Sequence, residues 1–184
     1  MPIGHSRVGW AAVMTRRIVL TRAEGAPDME TVRDLFREYA DWLRVDLCFQ
    51  DFEAELAGLP GAYAPPHGGL WLARVDGKVA GTIAFRPLEE GTCEMKRLWV
   101  RDEYRRLGLG RRLAVTCVRA ARDAGYAAMC LDTLGHMTTA RTLYENLGFT
   151  EIPAYYDNPL DDVRTMRRDL AVDLITEGLP IGRP

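Results

Sequence analysis

The stretch CEMKRLWVRDEYRRLGLGRRLAVTCV, from Cys93 to Val118, decides the fold. It opens inside a strand, Thr92 to Val100. It closes as an amphipathic helix over Gly108 to Asp123, with Leu109, Leu113, Val115, Thr116 and Val118 among its apolar positions. Between the two lies RRLGLG. A strand that hands over to a helix in this way leaves the N–H groups of the first helical turn free, and the helix dipole favours negative charge there. Gly108 and Gly110 carry no Cβ, so a phosphate can approach the backbone closely. Arg105, Arg106, Arg111 and Arg112 add local positive charge. The loop therefore reads as a cradle for a phosphate or pyrophosphate. A Rossmann loop would need a third glycine where the chain has Leu113, and a P-loop would need Lys after Gly110, where the chain has Arg111. Taken alone, the loop leaves open a plain tight turn with solvated arginines.

Working outward, RRIVLTRA (Arg16 to Ala23) reads as a first strand. After it, Met29, Val32, Leu35, Phe36, Tyr39, Trp42 and Leu43 recur at helical spacing, with Pro27 and Asp28 near the helix start. A shorter helix is expected over DFEAELAGL, and YAPPHGG reads as loop. LWLARV and KVAGTIAFRPL flank Asp76-Gly77, a strong hairpin signal. Beyond the central helix, YAAMCLDT reads as a strand, TTARTLYENLG as a helix stopped by Gly148, and FTEIP and RTMRRDL as the last strands around AYYDNP. An antiparallel front half followed by strand–helix–strand–helix–strand predicts a mixed α/β sheet with helices on its faces.

The 184 residues fit one domain, expected over 15–172, with 1–14 as a flexible extension and 173–184 as a tail. A formal net charge of −2 gives no global reason to expect nucleic acid or an anionic membrane as partner, so any anion site is local. Cys48, Cys93, Cys117 and Cys130 form no CxxC pair, and no His stands near them in zinc spacing. They are expected as reduced, mostly buried thiols of a cytoplasmic protein, with no metal. No apolar run approaches the roughly 20 residues that span a bilayer, and MPIGHSRVGWAAVM lacks the cleavage site of a secretory signal.

Arg105-x-x-Gly108-x-Gly110, after a strand and opening a helix, resembles the acetyl-CoA-binding motif (Gln/Arg)-x-x-Gly-x-(Gly/Ala) of the GNAT family of N-acetyltransferases. LWV before the loop and ARTLYENLGF, Ala140 to Phe149, are similar to the family's flanking strand and later helix. The likeness spans roughly residues 16–170 and is strongest from Cys93 to Phe149. It implies an acyl-CoA N-acyltransferase fold: a mixed, mostly antiparallel six- to seven-stranded sheet with helices on both faces and two splayed central parallel strands. It also implies acetyl-CoA as cosubstrate and a primary amine, on a small molecule or a protein, as acceptor. A homodimer is compatible with it. Alternatives are a non-catalytic acyl-CoA sensor and a transferase of a longer acyl group.

Carried onto this chain, the resemblance implies that backbone N–H groups from Leu107 to Arg111, with Arg106, hold the CoA pyrophosphate. Gly108, Leu109 and Gly110 lie within that run, and Arg105 heads the motif. Main-chain groups of Leu98 and Val100, with Trp99 between them, pair with the pantetheine arm like an added strand. Ala140 opens the later helix on the cofactor side. Where the family often has Asn, this chain has Met137, and Thr138 or Thr139 is expected to cap instead.

Acetyl transfer to an alkyl amine needs the neutral amine. With a pKa near 10 that costs about 4 kcal/mol at pH 7, so a base or a proton-conducting water path helps, as does an acid for the departing thiolate. The resemblance makes Tyr144 the acid, although spacing alone fits a core tyrosine beside Leu143 and Leu147. Glu94 is the expected base, set by strand alternation on the face of Leu98, with a solvated carboxylate paired to Lys96 or Arg97 as the alternative. His136 and, more remotely, His67 are rivals, and Asp132 either orients the site or caps the next helix. Val45 to Tyr63 and Ala154 to Asn158 are the expected acceptor walls. They carry Asp46, Asp51, Glu53, Tyr63, Tyr155, Tyr156 and Asp157, a set suited to a cationic amine.

Overall fold

The computed structural model describes residues 16–44, 51–156, 158, 160 and 162–172. The expected extension 1–14, the tail 173–184, Cys48, Asp46 and Asp157 lie outside them. Strands β1 (Ile18–Arg22), β2 (Gly69–Val75), β3 (Lys78–Glu89), β4 (Thr92–Val100), β5 (Ala128–Leu134), β6 (Thr150–Ile152) and β7 (Val163–Asp169) form one sheet in the order β1-β2-β3-β4-β5-β7-β6. Helices α1 (Gly25–Leu43), α2 (Phe52–Ala57), α3 (Leu109–Asp123) and α4 (Thr138–Asn146) fall where the periodicity put them. The β2–β3 turn has positive φ at both Asp76 (51°) and Gly77 (81°), the combination a tight hairpin turn needs to match strand twist. Among the described residues no helix is long and apolar enough to cross a membrane.

The sheet separates two cores. On one face α3 buries Leu113, Ala114, Cys117, Val118 and Ala121 against Trp71, Ile83, Phe85, Cys93 and Met95, joined by Tyr144, Leu147 and Phe149. On the other, α1 buries Met29, Val32, Leu35 and Phe36 with Phe52 and Leu56 of α2 against Leu70, Leu72, Ala84 and Trp99. Cys93, Cys117 and Cys130 are free, buried thiols.

Two features of β4 position the site. First, β4 and β5 are the sheet's parallel pair, and they pair only from Thr92↔Ala128 to Glu94↔Cys130. Beyond that β4 runs on to Val100 and β5 to Leu134 without pairing, so the central strands part, as expected. Second, the β3–β4 register steps from Ala84↔Lys96 to Thr82↔Trp99, so β4 carries an extra residue at a β-bulge. Arg97 sits in this bulge with φ 57°. The bulge corrects one expectation. Simple alternation would put Glu94 and Leu98 on one face, but the extra residue changes the phase between them. Leu98 packs against the α3 core, whereas Glu94 lies on the α1 face, opposite Cys93 and Met95.

Candidate active site

The parted strands open into a cleft of about 800 Å³ walled by β4, β5, the loop after β4, the start of α4 and the end of α1. At its mouth the chain enters α3 through Gly108, whose φ is 72° and whose Cβ, were one present, would meet nothing within 4 Å. The first helical hydrogen bond runs from the Arg112 N–H to the Gly108 carbonyl, which leaves the N–H groups of Leu109, Gly110 and Arg111 without helical partners. Arg106 takes a left-handed conformation (φ 66°) that costs an L residue about 1 kcal/mol, and with Arg111 it lines the mouth. The sequence-predicted loop is thus an open, cationic cradle that fits a pyrophosphate. Arg105 differs from its neighbours: its guanidinium lies over the rings of Trp42 and Trp99, at 5.2 and 5.3 Å, and pairs with Asp102. Leu107 packs behind the loop beside Tyr104 and Leu109, outside the cleft wall.

Leu98, Trp99 and Val100 line the cleft along the unpaired end of β4, and Ala140 lines it from α4. The N-cap of α4 falls on Met137, whose side chain makes no capping hydrogen bond and instead accepts from the Thr133 hydroxyl at 3.8 Å. Thr138 and Thr139 are helical rather than capping residues, which corrects that expectation. Their position inside the first turn puts their hydroxyls past the N–H groups a cap would serve.

Tyr144 reaches the cleft from α4, with its ring packed edge-on to Phe149 at 6.0 Å. Its hydroxyl makes no hydrogen bond among the described residues. Burial, with the nearby Tyr39, Asp132 and Cys117, pushes the phenol far above its ordinary range, so it keeps its proton at any working pH. Tyr144 is thus a core residue that also lines the cleft, as the core reading from its spacing expected.

Buried polar side chains gather around β4 and β5 on the α1 face. Glu94 is 1% exposed. Arg86 donates to it at 3.0 Å, the Tyr155 hydroxyl donates at 2.8 Å, and the Lys96 ammonium stands at 3.6 Å. It is neither solvated nor part of the cleft wall. Lys96 turns instead to Asp132, donating at 3.1 Å, and the Tyr156 hydroxyl donates to the same carboxylate at 2.7 Å. Burial would raise the Asp132 carboxyl, but the Lys96 charge, the two hydrogen bonds and Arg97 outweigh it and hold the carboxyl below its ordinary range. Asp132 caps no helix, since it lies within β5.

A second cluster holds α2 in place. Arg97 donates to both oxygens of Glu55, at 3.0 and 2.5 Å, beneath the rings of Phe52 and Phe36, and the Tyr63 hydroxyl donates to Glu55 at 2.6 Å. Asp51 and Glu53 are exposed and join neither cluster. His136 is exposed on the cleft wall, and His67 lies away from it. The sequence named Lys96 and Arg97 only as possible partners of Glu94, of which Lys96 stands at 3.6 Å, and Tyr39 only as a position of α1; Glu55 was not singled out. The periodicity that placed Tyr39 and Trp42 on the buried face of α1 holds for the helix as a whole. At its last turn, however, the sheet below has parted, so both line the cleft and Trp42 is 42% exposed.

The profile of the Acetyltransferase (GNAT) family matches residues 29–149. An uncharacterised N-acetyltransferase of Schizosaccharomyces pombe is 38% identical over 146 residues, covering 78% of this chain and 90% of its own length. Among solved structures, an acetyltransferase of Streptococcus agalactiae superposes with a TM-score of 0.69 at 23% identity, covering 83% of this chain and 98% of its own. The PaiA N-acetyltransferase of Thermoplasma acidophilum, solved with coenzyme A, superposes with a TM-score of 0.65 at 16% identity, covering 83% and 99%. With a parted central strand pair, a glycine loop opening α3 and a family profile that matches residues 29–149, the chain belongs to the GNAT family of acetyltransferases.

Proposed function

We propose that the protein transfers acetyl from acetyl-CoA directly to a primary amine, with both substrates meeting in the gap between β4 and β5. The observation that carries the reading is the make-up of the cleft wall. The glycine loop with Arg106 and Arg111, the stretch of β4 that has no β5 partner, and Tyr144 of α4 all line it. Arg106, Arg111 and the free N–H groups of Leu109 to Arg111 suit the CoA phosphates. The main chain of Leu98 and Val100, on the stretch of β4 without a β5 partner, suits the pantetheine amides, although the Val100 carbonyl also accepts from Arg105 at 3.4 Å.

In the transfer, the amine nitrogen bonds to the acetyl carbon and the carbon–sulfur bond breaks. Of the two protons an ammonium gives up, one goes to solvent and one to the CoA sulfur. Tyr144 serves the sulfur, since its buried phenol keeps its proton and burial makes a thiolate more basic as well. Glu94, the expected base, is proposed in an indirect role. Its carboxylate is held by Arg86 and Tyr155 and reaches the cleft only through Lys96, so it sets the charge of the Lys96–Asp132 pair.

Calorimetry of the full chain with acetyl-CoA is the test. Binding is expected in the micromolar range and should be lost in Gly108→Asp, which adds negative charge at a left-handed position. A protein that takes up no acetyl-CoA at millimolar concentration would overturn the reading. A free-thiol release screen across amines then identifies the acceptor.

A further inference from the structure

The side chains that line the cleft are mostly apolar or cationic. Lys96, Arg97, Arg105, Arg106 and Arg111 all contribute, whereas among the described residues Asp132 is the single carboxylate in the wall. It is firmly held. One oxygen accepts from Lys96 and the other from the Tyr156 hydroxyl, which in turn accepts from Asn158 at 2.7 Å. The Asp132 side chain is 15% exposed and that of Lys96 5%, so the carboxylate opens onto the cleft along a narrow front. A carboxylate oxygen that accepts one hydrogen bond keeps a further lone pair for another donor.

The phase of β5 places Asp132 opposite Met129 and Leu131, which pack in the α3 core, and so on the α1 side of the gap. Tyr39 of α1 lines the same cleft; its ring packs against Trp99 at 6.0 Å and its hydroxyl makes no hydrogen bond among the described residues. Tyr39 and Asp132 both act electrostatically on the Tyr144 phenol. Tyr39, Asp132 and Tyr144 all line the same cleft, Tyr39 from α1, Asp132 from β5 and Tyr144 from α4.

We infer that Asp132 is the docking point of the acceptor's ammonium group, with the Tyr39 hydroxyl as its second partner and Tyr39, Trp42 and Trp99 as the wall for the apolar part of the molecule. This rests on the transferase reading above and assigns the acceptor half of the site. The substrate class that follows is a cationic amine with an apolar stem. A group carrying a carboxylate beside the amine is disfavoured, because Lys96 and Arg97 are already paired with Asp132 and Glu55. Asp132 attracts the ammonium, and an opposite charge beside an amine favours its charged form, so a proton must be lost before the nitrogen can attack. One ammonium proton leaves toward water at Asp132, and the neutral nitrogen then faces the thioester.

The test uses the full chain, with and without CoA, titrated with 2-phenylethylammonium and with its neutral analogue 2-phenylethanol, read by the fluorescence of the cleft tryptophans. Asp132→Asn should weaken 2-phenylethylammonium binding at least tenfold while leaving 2-phenylethanol and CoA binding within twofold. Tyr156→Phe, which removes one hydrogen bond to the carboxylate, should give a smaller loss in the same direction. Equal weakening of the alcohol and the ammonium in Asp132→Asn would mean a structural role only, and unchanged ammonium binding would remove Asp132 from the acceptor site. Either result overturns the inference, as does a wild-type chain that binds no 2-phenylethylammonium. A chain that binds the ammonium but not CoA would instead overturn the donor reading, and the ammonium titration would still report on Asp132.

Discussion

Tyr144 packs like a core residue along its ring and like a site residue at its tip. Since its hydroxyl has no hydrogen-bond partner among the described residues, removing that hydroxyl leaves no buried group unsatisfied. Tyr144→Phe should therefore cost less than about 1 kcal/mol of stability. The same change should slow acetyl transfer by about 100-fold or more, the worth of one general acid, with acetyl-CoA affinity within twofold. Thermal denaturation and thiol release with the acceptor found by screening measure both. A destabilised but fully active variant would make Tyr144 purely structural. The residue type and motif made this position readable in the sequence. Asp132 was not readable to the same degree, because its partners Lys96 and Tyr156 come from distant parts of the chain and meet it only once β4, β5 and the β6–β7 loop are assembled.

At the scale of elements, α2 is a short helix with only Phe52 and Leu56 buried from its own sequence. What fixes it to the sheet is Glu55, clamped by Arg97 under two aromatic rings. The Arg97 and Glu55 side chains are 3% and 10% exposed, so each charge depends on the other. Arg97→Ala would leave a buried carboxylate beside a phenol, and a loss of about 3–5 kcal/mol is expected. Pairing it with Glu55→Leu should restore much of that loss. Chemical denaturation of the single and double variants measures the coupling, and strictly additive losses would count against the clamp. The secondary structure was legible from periodicity and turn residues. The bulge at Arg97 was not, since nothing in KRLWV distinguishes a regular strand from one with an added residue. That one unread irregularity also put Glu94 on the wrong face.

Over the whole molecule, the buried ion pairs tie stability to acid. The carboxyls of Glu55 and Asp132 would be raised by burial, but Arg97 and Lys96 respectively bring them below their ordinary values of 4.5 and 3.8. Hydrogen bonds from Arg101 to Glu38 and from the Glu24 backbone to Asp28 lower those two carboxyls as well. A carboxyl depressed in the folded state contributes stability above its unfolded pKa, and that contribution is lost as pH falls through the folded value. The melting temperature should thus hold steady above about pH 5 and fall steeply below about pH 4, as these groups take up protons on unfolding. Glu55→Gln should lower stability at pH 7 and flatten the acid slope, which a series of melting curves between pH 3 and 7 would record. An acid slope unchanged by that substitution would remove Glu55 from the account. At this scale the sequence was most informative about the proposed donor half, whose phosphate-binding residues would come from one contiguous loop. It was least informative about the acceptor half, which is assembled from α1, β4, β5 and the segment before β7.

The added residue in β4 has a further consequence for how the two halves can vary. Ahead of it, side chains that face α1 sit at even positions such as Glu94 and Lys96. After it they sit at odd ones such as Trp99, while Leu98 and Val100 face α3. Substitutions leave that phase untouched, so either wall can be rewritten residue by residue without disturbing the other. A change of length cannot be so contained. Deleting one residue between Lys96 and Trp99 would turn the end of the strand over and exchange the walls. The number of residues between Glu94 and Val100 thus decides which side chains face each wall, as surely as the identity of those side chains decides the chemistry.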